Sequence, residues 1–208
     1  MTRHQQALER TRRQMLIAIG SAFAATAFAQ RSYAQATPPA LPTDSLYQLG
    51  IALEDQSGQT RPFAAYRGEA RIVAMFYANC PHVCPLTIET IKLVDQQLTA
   101  AQQSKLKFLM LSIDPARDTP AVLTKLAEQR DAKAPRWTLA RTAPSEVRKL
   151  AAVLGVQYSQ LADKEFNHST ILSLVDADGR IRARTSKLGA VDRAFITAVR
   201  TVLDDGGG

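Results

Sequence analysis

Cys80 and Cys84 are the residues whose type and spacing most directly imply chemistry, and they are the two cysteines of a 208-residue chain. They lie in Cys80-Pro81-His82-Val83-Cys84-Pro85, with one of the three histidines between them. An apolar run, Ile72 to Tyr77, leads in, and a helical pattern from Leu86 leads out. If the first helical turn begins near Cys84, both thiols lie on one side of a bend. They are then within reach of either a disulfide or a shared metal. A helix N-terminus stabilises a thiolate, the form that attacks disulfides and binds metals. Inert buried cysteines do not ordinarily occupy a proline-bounded loop at a helix start.

Disulfide exchange needs this pair alone, whereas a metal needs at least one more ligand. Beyond residue 36 the histidines are His82 and His168. Two thiolates with the His168 imidazole form a soft, three-coordinate set, which favours Cu(I) and with added ligands can accept Cu(II). A structural zinc site wants four closed ligands. His82 could be the fourth, although a residue between the two cysteines can equally project to solvent. The plain alternative for His168 is a hydrogen-bonded loop histidine. Met75 and Met110 fall in apolar strand patterns and read as core.

The elements that must position these groups follow from periodicity and turn chemistry. Leu46 to Leu53 alternates as a first strand, Asp55-Gln56-Ser57-Gly58 is a turn, and Gln59 to Ala65 reads as the returning half of a hairpin. Arg71 to Tyr77 and Leu106 to Ile113 are near-continuous apolar strands of the kind buried on both faces of a sheet. Between them Leu86, Ile88, Leu93, Val94 and Leu98 keep helical spacing, with Pro85 suited to a first turn. Asp118-Thr119-Pro120 offers a capping oxygen and then proline, starting a helix to about Arg130. Trp137 to Leu139 is a short strand. Val147, Leu150, Ala151 and Leu154 form one helical face closed by Gly155. Ser159 to Asn167 is polar and loop-like. Thr170 to Val175, the turn Asp176-Ala177-Asp178-Gly179 and Arg180 to Thr185 make a hairpin. Ala190 to Leu203 is a last helix, and Gly206-Gly207-Gly208 reads as a frayed tail.

This order predicts an α/β chain with a thioredoxin-like fold. A central mixed sheet is flanked by helices, with an N-terminal β-hairpin extension and an insertion at 115–139. In that arrangement a cysteine pair at a strand-to-helix junction marks the chemistry. The entrance of the strand after His168 faces the same loop. A disulfide enzyme of this fold is expected to carry a cis proline at that entrance. The chain has Asn167-His168-Ser169 there, and no proline follows Pro144.

Charge and the N-terminus bound the function classes. The net charge of +7 is concentrated in residues 1–36, where five arginines face one acid, leaving +3 elsewhere. With basic and acidic residues interspersed, nucleic acid is not an expected partner. Residues 1–36 read as a cleaved export signal. Arg12-Arg13 followed by apolar residues resembles a twin-arginine signal, and Ala34-Gln35-Ala36 offers a small-x-small cleavage site. Leu16 to Ala29 is short for a membrane span, an uncleaved anchor being the alternative. Residues 37–45, with Pro38, Pro39 and Pro42, read as a linker to a domain over 46–208. Periplasmic export is expected, and with it conditions in which the cysteines can pair as a redox disulfide.

Three segments in this order resemble the Sco/SenC family. They are Phe76-Tyr77-Ala78-Asn79-Cys80-Pro81-His82-Val83-Cys84-Pro85, Ser112-Ile113-Asp114-Pro115-Ala116-Arg117-Asp118-Thr119-Pro120, and Phe166-Asn167-His168-Ser169. The resemblance runs from about Leu46 to Leu203. It implies an exported or membrane-anchored, thioredoxin-like copper protein that helps build the binuclear copper centre of cytochrome c oxidase. It implies Cys80, Cys84 and His168 as copper ligands, with His82, Asp114 and Asp118 as accessory residues. Hydrogen bonds accepted by Asp114 and Asp118 would support the metal loop, although a helix cap explains Asp118 equally well. The implied partners are the apo copper subunit of cytochrome c oxidase, or another periplasmic copper protein, and a thiol–disulfide reductant. Two departures stand out. The family often has Asp where His82 and Asn167 stand here, and Asn167 can orient the distal histidine without adding charge.

Two other functions fit the same residues. A thiol–disulfide oxidoreductase acting on partner cysteines would use Cys80 and Cys84 alone. A peroxiredoxin-like peroxidase would share the fold but centre on a single cysteine, and the second cysteine and His168 argue against it.

Overall fold

The computed structural model describes residues 40–80 and 83–205, without the side chains of Val83 and Cys84. The expected export signal, residues 37–39 of the expected linker, His82, the Cys84 thiol and the Gly206–Gly208 tail lie outside the described residues.

The sheet is organised by β3 (Ala70–Phe76), whose seven residues are all buried. Burial of both faces explains why the sequence shows an apolar run there instead of alternation. β4 (Leu106–Ser112) runs parallel to it, pairing Ala70 with Leu106 and Phe76 with Ser112. β5 (Trp137–Arg141) continues in parallel on the far side of β4. β8 (Leu172–Val175) pairs antiparallel with β3, and β9 (Ile181–Thr185) antiparallel with β8. β1 (Ala52–Asp55) and β2 (Thr60–Pro62) form the N-terminal hairpin, with β1 antiparallel to β5. The result is a seven-stranded mixed sheet ordered β2-β1-β5-β4-β3-β8-β9. Each fully buried aliphatic or aromatic side chain of β3 and β4 contributes about 1.5–3 kcal/mol by leaving water.

Among the described residues, five α-helices flank the strands. They are α1 (Val83–Gln96), α2 (Ala100–Lys105), α3 (Pro120–Gln129), α4 (Pro144–Leu154) and α5 (Arg193–Asp205). α4 ends where expected, with Gly155 at φ 74 as a left-handed cap. α2 was not anticipated, though its capping box is written in the sequence. Thr99 accepts from the Gln102 amide while the Gln102 side chain accepts from the Thr99 amide.

Three other expectations are corrected. Leu46 to Leu49 is a 3-10 turn instead of strand, capped by the Ser45 hydroxyl and ended by Gly50 at φ 67. Leu46 and Tyr47 are buried consecutively, which a strand with one solvent face cannot achieve. The returning strand of the first hairpin stops at Pro62, and Phe63 to Tyr66 is again a 3-10 turn. The polar stretch read as loop is a second, separate hairpin, β6 (Tyr158–Gln160) with β7 (Phe166–His168). Of the segment read as linker, residues 40–45 are described. There Ser45 is buried, and its hydroxyl donates to the Asp178 carbonyl at 2.6 Å.

The topology fixes which loops meet. β3 and β4 are parallel, so the loops after Phe76 and Ser112 leave from the same end of the sheet. β8 is antiparallel to β3 and pairs Leu172 with Ala74, so it enters at that end too. The cysteine loop, the Asp114–Asp118 loop and His168 are brought to one rim.

Candidate metal centre

β3 hands its chain to the rim through Tyr77-Ala78-Asn79-Cys80. The Cys80 amide donates to the Tyr77 carbonyl at 3.2 Å, closing a tight turn, and Cys80 is buried. α1 starts at Val83, one residue earlier than the position expected for its first turn, so Cys84 lies in that turn. The N-terminal backbone amides of such a turn favour a thiolate.

Asp118 sits beneath this loop and is not the helix cap. Thr119 caps α3, its side chain accepting from the Val122 amide, with Pro120 in the first turn. Proline in that place moves the capping role to the residue just before it, which releases Asp118 to turn inward. Both Asp118 oxygens accept from the Ala78 amide at 3.2 Å, and Oδ2 accepts from the Ser112 hydroxyl at 2.5 Å. Ser112 Oγ in turn accepts from the Asp114 amide at 2.9 Å. Asp118 therefore ties the end of β4 to the exit of β3. Burial pushes its carboxyl up from 3.8 to about 6, and the charge of Asp114 adds to this. The hydrogen bonds from Ser112 and Ala78 and the nearby Arg117 oppose the rise.

Arg117 and Glu165, which the sequence did not single out, connect the remaining parts. Arg117 pairs with the buried Asp114, donates to the Lys164 carbonyl at 2.7 Å, and reaches Glu165 Oε1 at 3.3 Å. Its guanidinium lies 6.0 Å from the Phe166 ring centroid. Glu165 Oε1 also accepts from the Asn79 side chain at 3.1 Å, one residue before Cys80. Arg117 was visible inside the second motif, but its role was not. Nothing periodic in the sequence marks Glu165.

His168 ends β7, opposite Tyr158. Its ring meets the Tyr77 ring edge-on, centroids 5.8 Å apart, and Tyr77 also packs against Phe166 at 5.4 Å. Nδ1 lies 3.2 Å from the Ser169 carbonyl, which can only accept, so the hydrogen-bond network assigns the proton to Nδ1. Nε2 keeps its lone pair and is buried without a hydrogen-bond partner. An orphaned, unprotonated imidazole nitrogen, in a ring whose other nitrogen carries the proton, is the donor such a metal site requires. Ser169, and not Asn167, supplies the orienting group for Nδ1. Asn167 is exposed, with Ser159 as its register partner. The Tyr77 hydroxyl titrates well above its ordinary range because it is desolvated, with Cys80 and then Glu165 adding to the shift.

Among the described residues no three His, Cys, Asp or Glu side chains cluster to hold a metal. The Cys84 thiol and His82 stand outside that set. Met75 and Met110 are core residues, at 1% and 0% exposure, too deep to serve as thioether ligands. A cavity of about 520 Å³ lies at the other end of the sheet, lined by Glu69, Ala70, Asp176 and Arg182 among others, and is remote from this rim.

A family model described as SCO1/SenC matches residues 44–204. A relative from Stutzerimonas stutzeri, named as a candidate copper-binding protein, is 29% identical over 138 residues, covering 64% of this chain and 65% of that protein. The match thus spans slightly less than two thirds of the relative's length. The solved structure of Bradyrhizobium japonicum ScoI with copper bound superposes with a TM-score of 0.60 at 23% identity, over 73% of this chain and 96% of that one. A second solved neighbour, BsSco, is described as having a disulfide switch and as a member of the Sco family of cytochrome c oxidase assembly proteins. It gives a TM-score of 0.61 at 19% identity, over 74% of this chain and 91% of that one. At these identities the two structures establish a shared fold.

Proposed function

The chain belongs to the SCO1/SenC family, and from that premise we propose that it is an exported copper-binding metallochaperone that holds its cargo through Cys80, Cys84 and His168. The observation that carries the reading is His168 Nε2, buried and unpartnered beside Tyr77, three residues before Cys80. Two thiolates suit Cu(I), and the imidazole adds the nitrogen that Cu(II) prefers. The recipient is the apo copper subunit of cytochrome c oxidase or another periplasmic copper protein, reached by ligand exchange. The copper-bound and oxidase-assembly descriptions of the structural neighbours support that choice. The same thiols cannot hold Cu(I) while disulfide-bonded, so a periplasmic reductant gates loading.

The test is a copper titration of the reduced chain with each ligand replaced in turn. One Cu(I) per chain is expected. Cys80→Ser or Cys84→Ser should abolish uptake, and His168→Ala should weaken it. Failure of the reduced protein to take up copper, or an affinity indifferent to His168→Ala, overturns the reading.

The start of α1 at Val83 favours a reactive thiol at Cys84, which keeps thiol–disulfide oxidoreductase activity as a second reading. Insulin reduction in the presence of a chelator separates the two. Turnover that survives His168→Ala would assign the enzyme.

A further inference from the structure

His168 is not carried by the main sheet. It ends a two-stranded hairpin of three residue pairs, and an isolated hairpin of that size is marginal on its own. Its placement against the cysteine loop must come from contacts outside its own ladder.

On one flank those contacts are apolar, Tyr77 against Phe166 and His168. On the other they converge on the hairpin turn through one side chain. Arg117 leaves the loop after β4, where the buried Asp114 anchors it. Its fork reaches the Lys164 carbonyl and Glu165 Oε1. The same Oε1 accepts from Asn79, next to Cys80 in the chain. Arg117 and Glu165 thus form a clamp joining three segments, the cysteine loop, the β4 exit and the hairpin that bears His168. A guanidinium can do this because its donors leave a rigid plane in several directions at once. An ammonium in the same place is a single point charge. The clamp sets where the hairpin that bears the imidazole stands against the cysteine loop.

We propose that Arg117, acting through Glu165, is a positioning residue that sets the preference of the site between Cu(I) and Cu(II). The inference rests on the Cys80–Cys84–His168 reading of the site. Cu(I) is satisfied by soft, low-coordinate thiolate ligation, whereas Cu(II) draws on the imidazole nitrogen. Loosening the hairpin therefore costs the oxidised ion more than the reduced one.

The experiment compares the full reduced chain with Arg117→Gln, Glu165→Gln and the double variant. Arg117 is partly exposed, and Glu165→Gln leaves the Arg117–Asp114 pair in place, so at least one variant is expected to fold, which circular dichroism of each checks. Dissociation constants for Cu(I) and Cu(II) are measured by chelator competition, with the thiolate-to-Cu(II) absorption bands and the Cu(II) paramagnetic resonance spectrum recorded alongside. Cu(II) affinity is expected to fall by about 10–100-fold, as for loss of a group that orients a ligand. The Cu(I) constant should fall by less, so the ratio shifts. The double variant should add little to either single one, because the two residues act as a unit. Arg117→Lys should recover part of the ratio. Hydrogen exchange of the β6–β7 amides in metal-free protein should quicken in the same variants.

If the wild type binds copper and the variants keep its ratio and spectra, the clamp proposal fails while the metal site stands. If the wild type takes up no copper, the site reading fails and takes this inference with it. A purely structural role would quicken exchange and lower both affinities in step, which also overturns the proposal.

Discussion

Replacing Asp118 with Asn should remove a pH dependence from the stability of this fold. The carboxyl is buried and is raised from 3.8 to about 6, chiefly by desolvation. A raised acid binds its proton more tightly in the folded chain than in the unfolded one. The extra stability is complete below the unfolded value of 3.8 and is lost as pH rises through the folded value near 6. The interval corresponds to about 3 kcal/mol, at about 1.4 kcal/mol for each pH unit. Asn is accommodated by the same neighbours. Its carbonyl accepts from the Ala78 amide and its NH2 donates to Ser112 Oγ, replacing the bonds seen here. Urea unfolding of both proteins across about pH 4 to 7.5 isolates the effect, because all other carboxylates cancel in the difference. The wild type should lose about 2.5 kcal/mol relative to Asp118→Asn over that range, the rest of the interval lying below about pH 4. Curves that stay parallel within about 0.5 kcal/mol, the scatter of inconsequential substitutions, would refute the assignment of a desolvated Asp118 beneath the cysteine loop.

Three further outcomes follow from particular contacts. Tyr77→Phe keeps the ring against Phe166 and His168 but removes the hydroxyl that responds to Cys80 and Glu165. Alkylation of Cys80 by iodoacetamide should slow by about tenfold, as expected for losing one hydrogen bond to a charged group. Gly179→Ala places a Cβ 2.5 Å from Ser45 Oγ and 2.6 Å from the Tyr47 ring at a φ of 88. It should cost about 1–3 kcal/mol in urea unfolding and open the 40–46 segment to limited proteolysis. Phe108→Ala empties a fully buried site beside Trp137, ring centroids 4.4 Å apart, beneath the Arg136 guanidinium. A loss of about 3–5 kcal/mol is expected, with a shift in tryptophan fluorescence to report the cavity.

Most of the scaffold was legible in the sequence because local pattern and tertiary burial agree there. The apolar runs of β3 and β4 are long and uninterrupted, since both faces are covered. The Gly155 helix stop and the Asp176–Gly179 turn are local backbone chemistry, and both appear where the residues imply. The cysteine pair was legible as a loop between a buried strand and a helix, and His168 as a residue at the entrance of β8. The local misreadings have local causes. Leu46 to Leu49 mimics alternation but buries two successive residues, and the β6–β7 strands are three residues each, with Tyr158 and Phe166 too few to announce an alternating face.

What the sequence alone determined is the set of chemical groups and the strand ends that carry them, because strands, helices and turns are dictated by residues close in the chain. The tertiary structure decided how those groups are held. The Asp118 partner Ala78 lies 40 residues away, and Glu165 meets Asn79 from 86 residues away. His168 Nε2 is stripped of hydrogen-bond partners only by packing against Tyr77 and its surroundings. No period or spacing encodes such meetings, because parallel pairing of β3 with β4 and antiparallel pairing with β8 is what brings three distant segments to one rim.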